Sequence, residues 1–266
     1  MDKAIRNAAR SIFEVKEKTF VTPHYIRITF KMSDEQVNIF QNMHSGSNNK
    51  IYIPSEKAIY GANYDESIWN SDFFIAVRTY TTRSIDLINK TLQIDFVAHG
   101  DNGPASKWAE NAKSGDFLGI AMKESQKPLV PMNKNYFIVG DSTAIPVISV
   151  ILETLPSTTN VMLLIEVSSY RDAFVLNTKA NLNVKWIYNP SPLNGSKLAE
   201  ECIALLAEEK QHYVFAAAEF ETIRKIKKHL KEDLQLERDH FQAVSYWKRG
   251  SSEEESNQER QKQRME

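Results

Sequence analysis

Arg78-Thr79-Tyr80-Thr81-Thr82-Arg83, followed one strand later by His99-Gly100-Asp101-Asn102-Gly103-Pro104-Ala105-Ser106-Lys107-Trp108-Ala109, is the stretch on which the reading of this chain turns. The hexapeptide is a polar strand carrying an aromatic ring, hydroxyls and guanidinium groups. In the segment that joins the two blocks, apolar Leu92, Ile94, Phe96 and Ala98 alternate with Gln93, Asp95, Val97 and His99, which is the period-two pattern of a strand with one buried face. Pro104 opens a helix predicted to run to about Lys113, because its missing N–H costs nothing in a first turn. Strand, turn, strand and helix start in this order suit a small barrel of short antiparallel strands. The flanking sequence agrees: residues 11–19, 25–32 and 50–54 are rich in β-branched and aromatic side chains, separated by the turn-prone Thr22-Pro23 and by the loop at 45–49. Gly115-Asp116 ends the helix and begins a further strand.

From Tyr136 the rhythm changes. Residues 136–139 form a short apolar run, 143–155 have a helical pattern, and 161–167 read as a second buried strand. The alternation continues through 184–188, 197–207, 213–217 and 220–230, which predicts a parallel sheet with helices on both faces. The expected fold class is therefore two-domain, β plus α/β. Residues 1–130 form the antiparallel β-barrel, 131–250 the nucleotide-binding-like α/β domain, and the segment around Pro128 and Pro131 links them. Residues 251–266 hold one Met and no other large apolar side chain, so they read as a polar tail or a solvated helix.

Composition limits the function classes. At 266 residues the chain has room for two domains, and 42% hydrophobic with 25% charged residues is ordinary for a soluble protein. A net charge of -1 offers no global attraction to nucleic acid or anionic lipid, so recognition of any anion must be local. Cys202 is the only cysteine, which excludes an internal disulfide and any cluster or zinc site built from several thiolates. Met1 opens a polar segment, and no apolar run is long enough to span a bilayer, so a cytoplasmic monomer without membrane insertion or nucleic-acid binding is expected.

The two opening motifs point to an aromatic ring bearing a diphosphate. Tyr80 can lie against an isoalloxazine, Thr81 can hydrogen-bond its edge, and Arg78 or Arg83 can neutralise phosphate. Amides at the Pro104 helix start can hold the diphosphate, with Gly103 permitting close approach and Ala105 and Ser106 leaving room. FAD is the cofactor that combines these demands. Taken alone, the hexapeptide reads equally well as a polar strand with Tyr80 in the core, and the Pro104 turn as an ordinary helix start. Val139-Gly140-Asp141-Ser142-Thr143-Ala144 stands where a strand of the parallel sheet turns into a helix, the crevice in which such folds bind nucleotides; alone it is also a plain turn capped by Asp141 or Ser142.

These blocks, together with Ile145-Pro146 and Tyr246-Trp247-Lys248-Arg249-Gly250, keep their order over roughly residues 12–250, and on them the chain resembles the siderophore-interacting proteins, FAD-dependent ferric-siderophore reductases of the ferredoxin–NADP reductase superfamily. The resemblance implies that Arg78, Thr79, Tyr80, Thr81 and Arg83, with Val97, His99, Gly103, Ala105 and Ser106, hold FAD. It implies that Asp141, Thr143, Ala144 and Trp247 line the approach of the electron donor, which is NADH, NADPH or reduced ferredoxin. Lys50, Lys123, Lys248 and Arg249 would then form an open cationic shelf for a bulky, often anionic ferric siderophore. No side chain is required as acid or base and no resident metal is expected.

Three departures from the family pattern bear on the donor and the substrate. Ala121-Met122-Lys123-Glu124-Ser125 replaces a loop of the Gly-Pro-Arg-Gly-Ser type and keeps one positive charge. Ala217-Ala218-Glu219 stands where many members have a glycine before the acidic residue. After 161–167 only Arg171 is available to meet a 2′-phosphate. Two other functions fit the same residues: a siderophore-binding module with a structural flavin, and a general flavin reductase or electron-transfer protein.

Overall fold

The structure is a computed structural model that describes residues 8–55, 68–69, 73–100, 103–125, 127–206 and 212–251. The expected polar tail beyond Ser251, the Asp101-Asn102 pair and the predicted end of a helix at Ala207 lie outside the described residues. The chain divides into two compact units, Met1–Lys127 and Pro128–Glu266.

The first unit is a closed barrel built from β1 (Ala9–Thr22), β2 (Tyr25–Lys31), β3 (Asn48–Pro54), β4 (Phe74–Asp86), β5 (Thr91–Val97) and β6 (Phe117–Met122), in the order β1-β2-β5-β4-β3-β6. Its interior is set by the period of two: Phe13 and Val15, Ile26, Ile28 and Phe30, Leu92, Ile94 and Phe96, and Leu118 and Ile120 are all fully buried. Closure pairs β6 back to β1, so these strands present no unpaired edge. An additional helix α1 (Asp34–Phe40), not anticipated from the sequence, drops Phe40 into the core, 5.1 Å from the ring of Phe13. Its signal was present: Ser33 caps the amide of Gln36 and the Gln36 side chain accepts from the amide of Ser33, a reciprocal capping box. The helix begun by Pro104, α2 (Pro104–Asn111), ends slightly short of Lys113.

β4 extends well past the hexapeptide on both sides. Thr82 pairs with Ile94 and Ser84 with Gln93, so Arg83 is the extra residue of a β-bulge. A bulge of this kind re-aims a side chain without breaking the flanking register.

The second unit is a five-stranded parallel sheet of β7 (Asn135–Asp141), β8 (Asn160–Val167), β9 (Asn181–Tyr188), β10 (Tyr213–Glu219) and β11 (Phe241–Trp247), in the order β11-β10-β7-β8-β9. The chain winds outward from β7 through β8 to β9, then returns to β10 on the other side of β7. That reversal makes the β7/β10 boundary the topological switch point, and it sets α3 (Ile145–Thr154) on the face opposite α4 (Leu198–Leu206) and α5 (Phe220–Lys228). Phe137 and Val139 of β7 pack with Leu198, Cys202, Ile223 and Ile226 from α4 and α5. Burial drives the Cys202 thiol up to about 12, so it is an inert core residue. The single helix expected over 143–155 is a 3-10 turn at Ser142–Ala144 followed by α3, with Pro146 in its first turn. Among the described residues no helix is long and apolar enough to cross a membrane.

Gly140 has a specific reason to lack a side chain. A Cβ there would meet Ile148 Cδ1 at 2.6 Å, Ala144 Cβ at 2.9 Å and the carbonyl oxygen of Ala217 at 3.2 Å. The isoleucine tip can swing away, but the other two atoms move only with backbone. Gly140→Ala is therefore expected to destabilise the second unit by about 1–3 kcal/mol, read as a lowered urea midpoint with an unchanged slope.

Candidate functional site

In the barrel unit, a run of aromatic rings joins the two opening motifs. Tyr80 is half-buried with its ring centroid 4.7 Å from that of Phe96, and Phe96 lies 5.7 Å from Trp108 in α2. Trp108 in turn stacks on Phe30 at 6.3 Å with an interplanar angle of 10°, which fixes α2 against the barrel core. The tyrosine of β4 and the start of α2 thus stand on either side of one fully buried phenylalanine.

At that helix start, Gly103 is extended and Pro104 supplies no N–H. The first intrahelical bond runs from the amide of Lys107 to the carbonyl of Gly103, and no described side chain caps the amides of Ala105 and Ser106 before it. An N-terminus of this kind receives an anion through its amides and its dipole. The Ser106 hydroxyl is engaged inside the protein: it accepts from the amide of His99 at 3.0 Å and donates to Glu110 Oε1 at 3.0 Å, while Gly100 N–H reaches the same carboxylate at 3.1 Å. Ser106 and Glu110 therefore shape the loop instead of offering a side chain to a ligand. His99 is exposed, and its imidazole occupies the space over Gly103, where a Cβ would come within 2.8 Å of Cε1. Val97, half-buried, closes β5 opposite Tyr25.

Arg83 is held in the barrel wall. The bulge turns its guanidinium toward Asp95, with Nε 3.9 Å from Oδ2, and its side chain is 14% exposed. Asp95 is fully buried and takes a bidentate pair from Arg27, at 2.7 Å and 2.8 Å, as well as the Tyr25 hydroxyl at 3.0 Å. Burial, then the charge of Asp95, pushes the Tyr25 phenol well above its usual range. Sequence reading missed this group; the one available signal was an acidic residue on the non-core face of β5 and a basic residue on the strand that pairs with it. Arg78 donates to the carbonyl of Val77 at 2.8 Å. Behind the motif, fully buried Thr82 accepts from Asn49 Nδ2 at 2.9 Å and donates to Met122 Sδ at 3.6 Å, a polar clasp between β3, β4 and β6 that the sequence did not announce.

Of the residues expected to form a cationic shelf, Lys50 and Lys123 lie in the barrel unit. Lys50 pairs across β3/β4 with Thr79, and its ammonium hydrogen-bonds the exposed Thr79 hydroxyl. It also pairs with Ala121 across β3/β6, and exposed Lys123 follows just past the end of β6. Thr81, by contrast, is buried.

In the sheet unit, the structure brings Asp141, Thr143 and Trp247 together at the switch point. Asp141 Oδ1 accepts from the amide of Thr143 at 2.9 Å and from its hydroxyl at 2.5 Å; Oδ2 accepts from the amide of Glu219 at 3.0 Å and from the Trp247 indole at 2.8 Å. Ala144 is fully buried beneath them. Glu219 caps α5 through the amides of Glu221 and Thr222 and accepts from the amide of Arg249 at 3.2 Å. The Arg249 guanidinium stands 4.0 Å from the same carboxylate, and the Lys248 ammonium lies 5.5 Å from the centroid of the Phe220 ring. Glu166, at the end of β8, accepts from Ser196 at 2.7 Å and Asn189 at 3.1 Å.

Burial raises the carboxyls of Asp141 and Glu166 above their ordinary values, against the pull of these hydrogen bonds. A raised carboxyl pKa means that the folded unit binds its proton more tightly than the unfolded chain does. These two groups therefore contribute a loss of stability as pH rises from the ordinary carboxylate range through the raised values. Urea unfolding followed across that interval should show this decline, and Asp141→Asn should flatten it.

Comparison with known proteins agrees with this arrangement. Residues 14–125 match the family model described as the siderophore-interacting FAD-binding domain, and residues 133–250 match that of the siderophore-interacting protein. The chain is 26% identical over 271 residues to ferric vibriobactin reductase ViuB of Vibrio cholerae, covering 98% of this chain and 97% of that one. The crystal structure of the siderophore-interacting protein SipS from Aeromonas hydrophila superposes with a TM-score of 0.81 at 28% identity, covering 97% of this chain and 99% of that one. Ferredoxin-NADP+ reductase from Plasmodium falciparum, at 14% identity and a TM-score of 0.59 over 91% of this chain and 97% of that one, shares the fold. The two family models follow one another over most of the chain, their boundaries falling at the barrel and the parallel sheet, and the chain belongs to the siderophore-interacting protein family, with an FAD-binding domain at its N-terminal end.

Proposed function

We propose that this protein is an FAD-dependent ferric-siderophore reductase. The observation that carries the reading is the aromatic run from Tyr80 through Phe96 to Trp108, which sets a half-open tyrosine and a helix start that no described side chain caps on the same barrel. Similarity over nearly the whole chain to a ferric vibriobactin reductase supports it. In this reading Tyr80 bears on the flavin ring, the amides of Ala105 and Ser106 receive the diphosphate, and Arg78 and Arg83 supply the balancing charge. Bound FAD supplies the redox chemistry.

The substrate is Fe(III) chelated by hard oxygen ligands. Each iron takes one electron to become Fe(II), which such ligands hold far less tightly, so reduction releases the metal. Lys50 and Lys123 offer an anionic chelate positive charge on an open face, where it need not be enclosed. The electron donor is NADH, NADPH or reduced ferredoxin.

The deciding experiment mixes the FAD-loaded protein, reduced anaerobically by dithionite, with a ferric catecholate and follows flavin reoxidation. Rapid reoxidation with appearance of Fe(II) is expected; a flavin that stays reduced ends the proposal. Replacing Lys50 and Lys123 together by Met should slow reduction of an anionic ferric catecholate about tenfold at low salt and leave a neutral acceptor nearly untouched. Equal losses on both acceptors would favour a general flavin reductase.

A further inference from the structure

We propose that Asp141 and Glu219 are specificity-determining residues that turn a dinucleotide pyrophosphate away from the switch point of the parallel sheet, so that the donor reduces this protein without a phosphate anchor there. The inference rests on the reductase reading above and concerns which donors that reductase accepts.

In open parallel sheets a dinucleotide seats its pyrophosphate on free amides where the first strand turns into its helix. Here several of those donors are already committed. The Thr143 amide and hydroxyl go to Asp141, the Ile145 amide goes to the carbonyl of Ser142, and Pro146 has none to give. Ala144 is sealed against Gly140. Across the switch point the start of α5 is occupied in the same way, since Glu219 takes the amides of Glu221 and Thr222 and its own amide goes to Asp141. The start of α4, on the same edge, is capped by Ser196, whose hydroxyl is bound by Glu166.

An arriving pyrophosphate would thus meet carboxylates in the positions where it needs donors. Trp247 and the amide of Arg249 complete the network from β11, and the Arg249 guanidinium lies 4.0 Å from the same Glu219 carboxylate. The contrast with α2 is internal to the molecule. That helix start has proline at its first position, glycine before it, and no cap from any described side chain, whereas Asp141 caps the 3-10 turn that leads into α3 and Glu219 caps α5. One chain therefore carries both a helix start suited to receiving a diphosphate and a pair of starts already filled by negative charge.

The test uses ADP-ribose, which carries the pyrophosphate without the nicotinamide, titrated calorimetrically into the FAD-loaded protein, beside anaerobic stopped-flow reduction by NADH. For the wild type the expectation is no saturable ADP-ribose binding and a flavin-bleaching rate that rises linearly with NADH. Asp141→Ser and Glu219→Gln should each strengthen ADP-ribose binding about tenfold, the effect of releasing charge-bound donors, and should bend the NADH plot toward a plateau. Saturable binding of ADP-ribose to the wild type would overturn the proposal, as would folded variants that gain nothing. Should a variant fail to fold, the wild-type titration and NADH plot decide by themselves. The reductase reading fails on a different result, a dithionite-reduced protein that cannot reduce a ferric catecholate.

Discussion

Asp95→Ala is expected to destabilise the barrel unit by roughly 3–5 kcal/mol, the cost of removing one partner from a buried ion pair. Asp95 has no exposed side-chain surface, and it accepts both nitrogens of a bidentate Arg27 as well as the Tyr25 hydroxyl, with Arg83 beside it. Deleting the carboxylate leaves two guanidinium groups facing each other in a wall of low polarity, with a phenol that has lost its acceptor. The loss should appear as a shift of the unfolding midpoint in urea. Asp95→Asn keeps the shape and an acceptor oxygen but not the charge, so it should retain part of the stability. If Asp95→Ala instead unfolds within about 0.5 kcal/mol of wild type, as an ordinary surface substitution would, the pairing has no energetic consequence and Arg83 is not held by it.

The second large effect is expected at Arg78. Arg78→Ala should weaken FAD binding by about 10–100-fold, the value of a hydrogen bond to a charged group, with little change in the melting of the apoprotein. The discriminating measurement is a titration of apoprotein with FAD and with riboflavin. If Arg78 meets the diphosphate, only FAD affinity falls. A matching fall for riboflavin would move Arg78 to the ring, and unchanged affinity for both would remove it from the cofactor site.

Both expectations bear on how the site is built. The residues that face the proposed cofactor, Tyr80 and the amides of α2, are fixed by groups that never touch it: Phe96 and Trp108 set the spacing, Glu110 anchors the loop through Ser106 and Gly100, and Asp95 restrains Arg83. Such supporting contacts hold a site to the tolerance that binding needs. They also divide the labour among the residues of the motif. Thr82, within the hexapeptide, is a buried structural clasp with Asn49, while its neighbours Thr79 and Thr81 differ sharply in exposure. Strand alternation gives Thr79 and Thr81 a shared direction but not a shared environment, because what covers a strand face is decided by distant chain.

The division into barrel and parallel sheet, the placement of most strands and the helix start at Pro104 were all legible in the residues alone. These are local matters: period-two and near-continuous apolar runs, and a proline that tolerates only a first turn. The sequence also located the residues of the switch point, since a strand ending in Gly140-Asp141 before a helical pattern marks that crevice in any such fold. The bonds those residues make come from packing between segments far apart in the chain. Asp141 and Trp247 are 106 positions apart, Asp95 and Arg27 are 68 apart; the second pair are register partners on neighbouring strands, and Trp247 reaches Asp141 across β10. Periodicity says which face a side chain takes but carries no record of which strand will lie next to it. A carboxylate that reads as a ligand for an incoming group can therefore prove to be the partner of donors from a strand that follows much later in the chain.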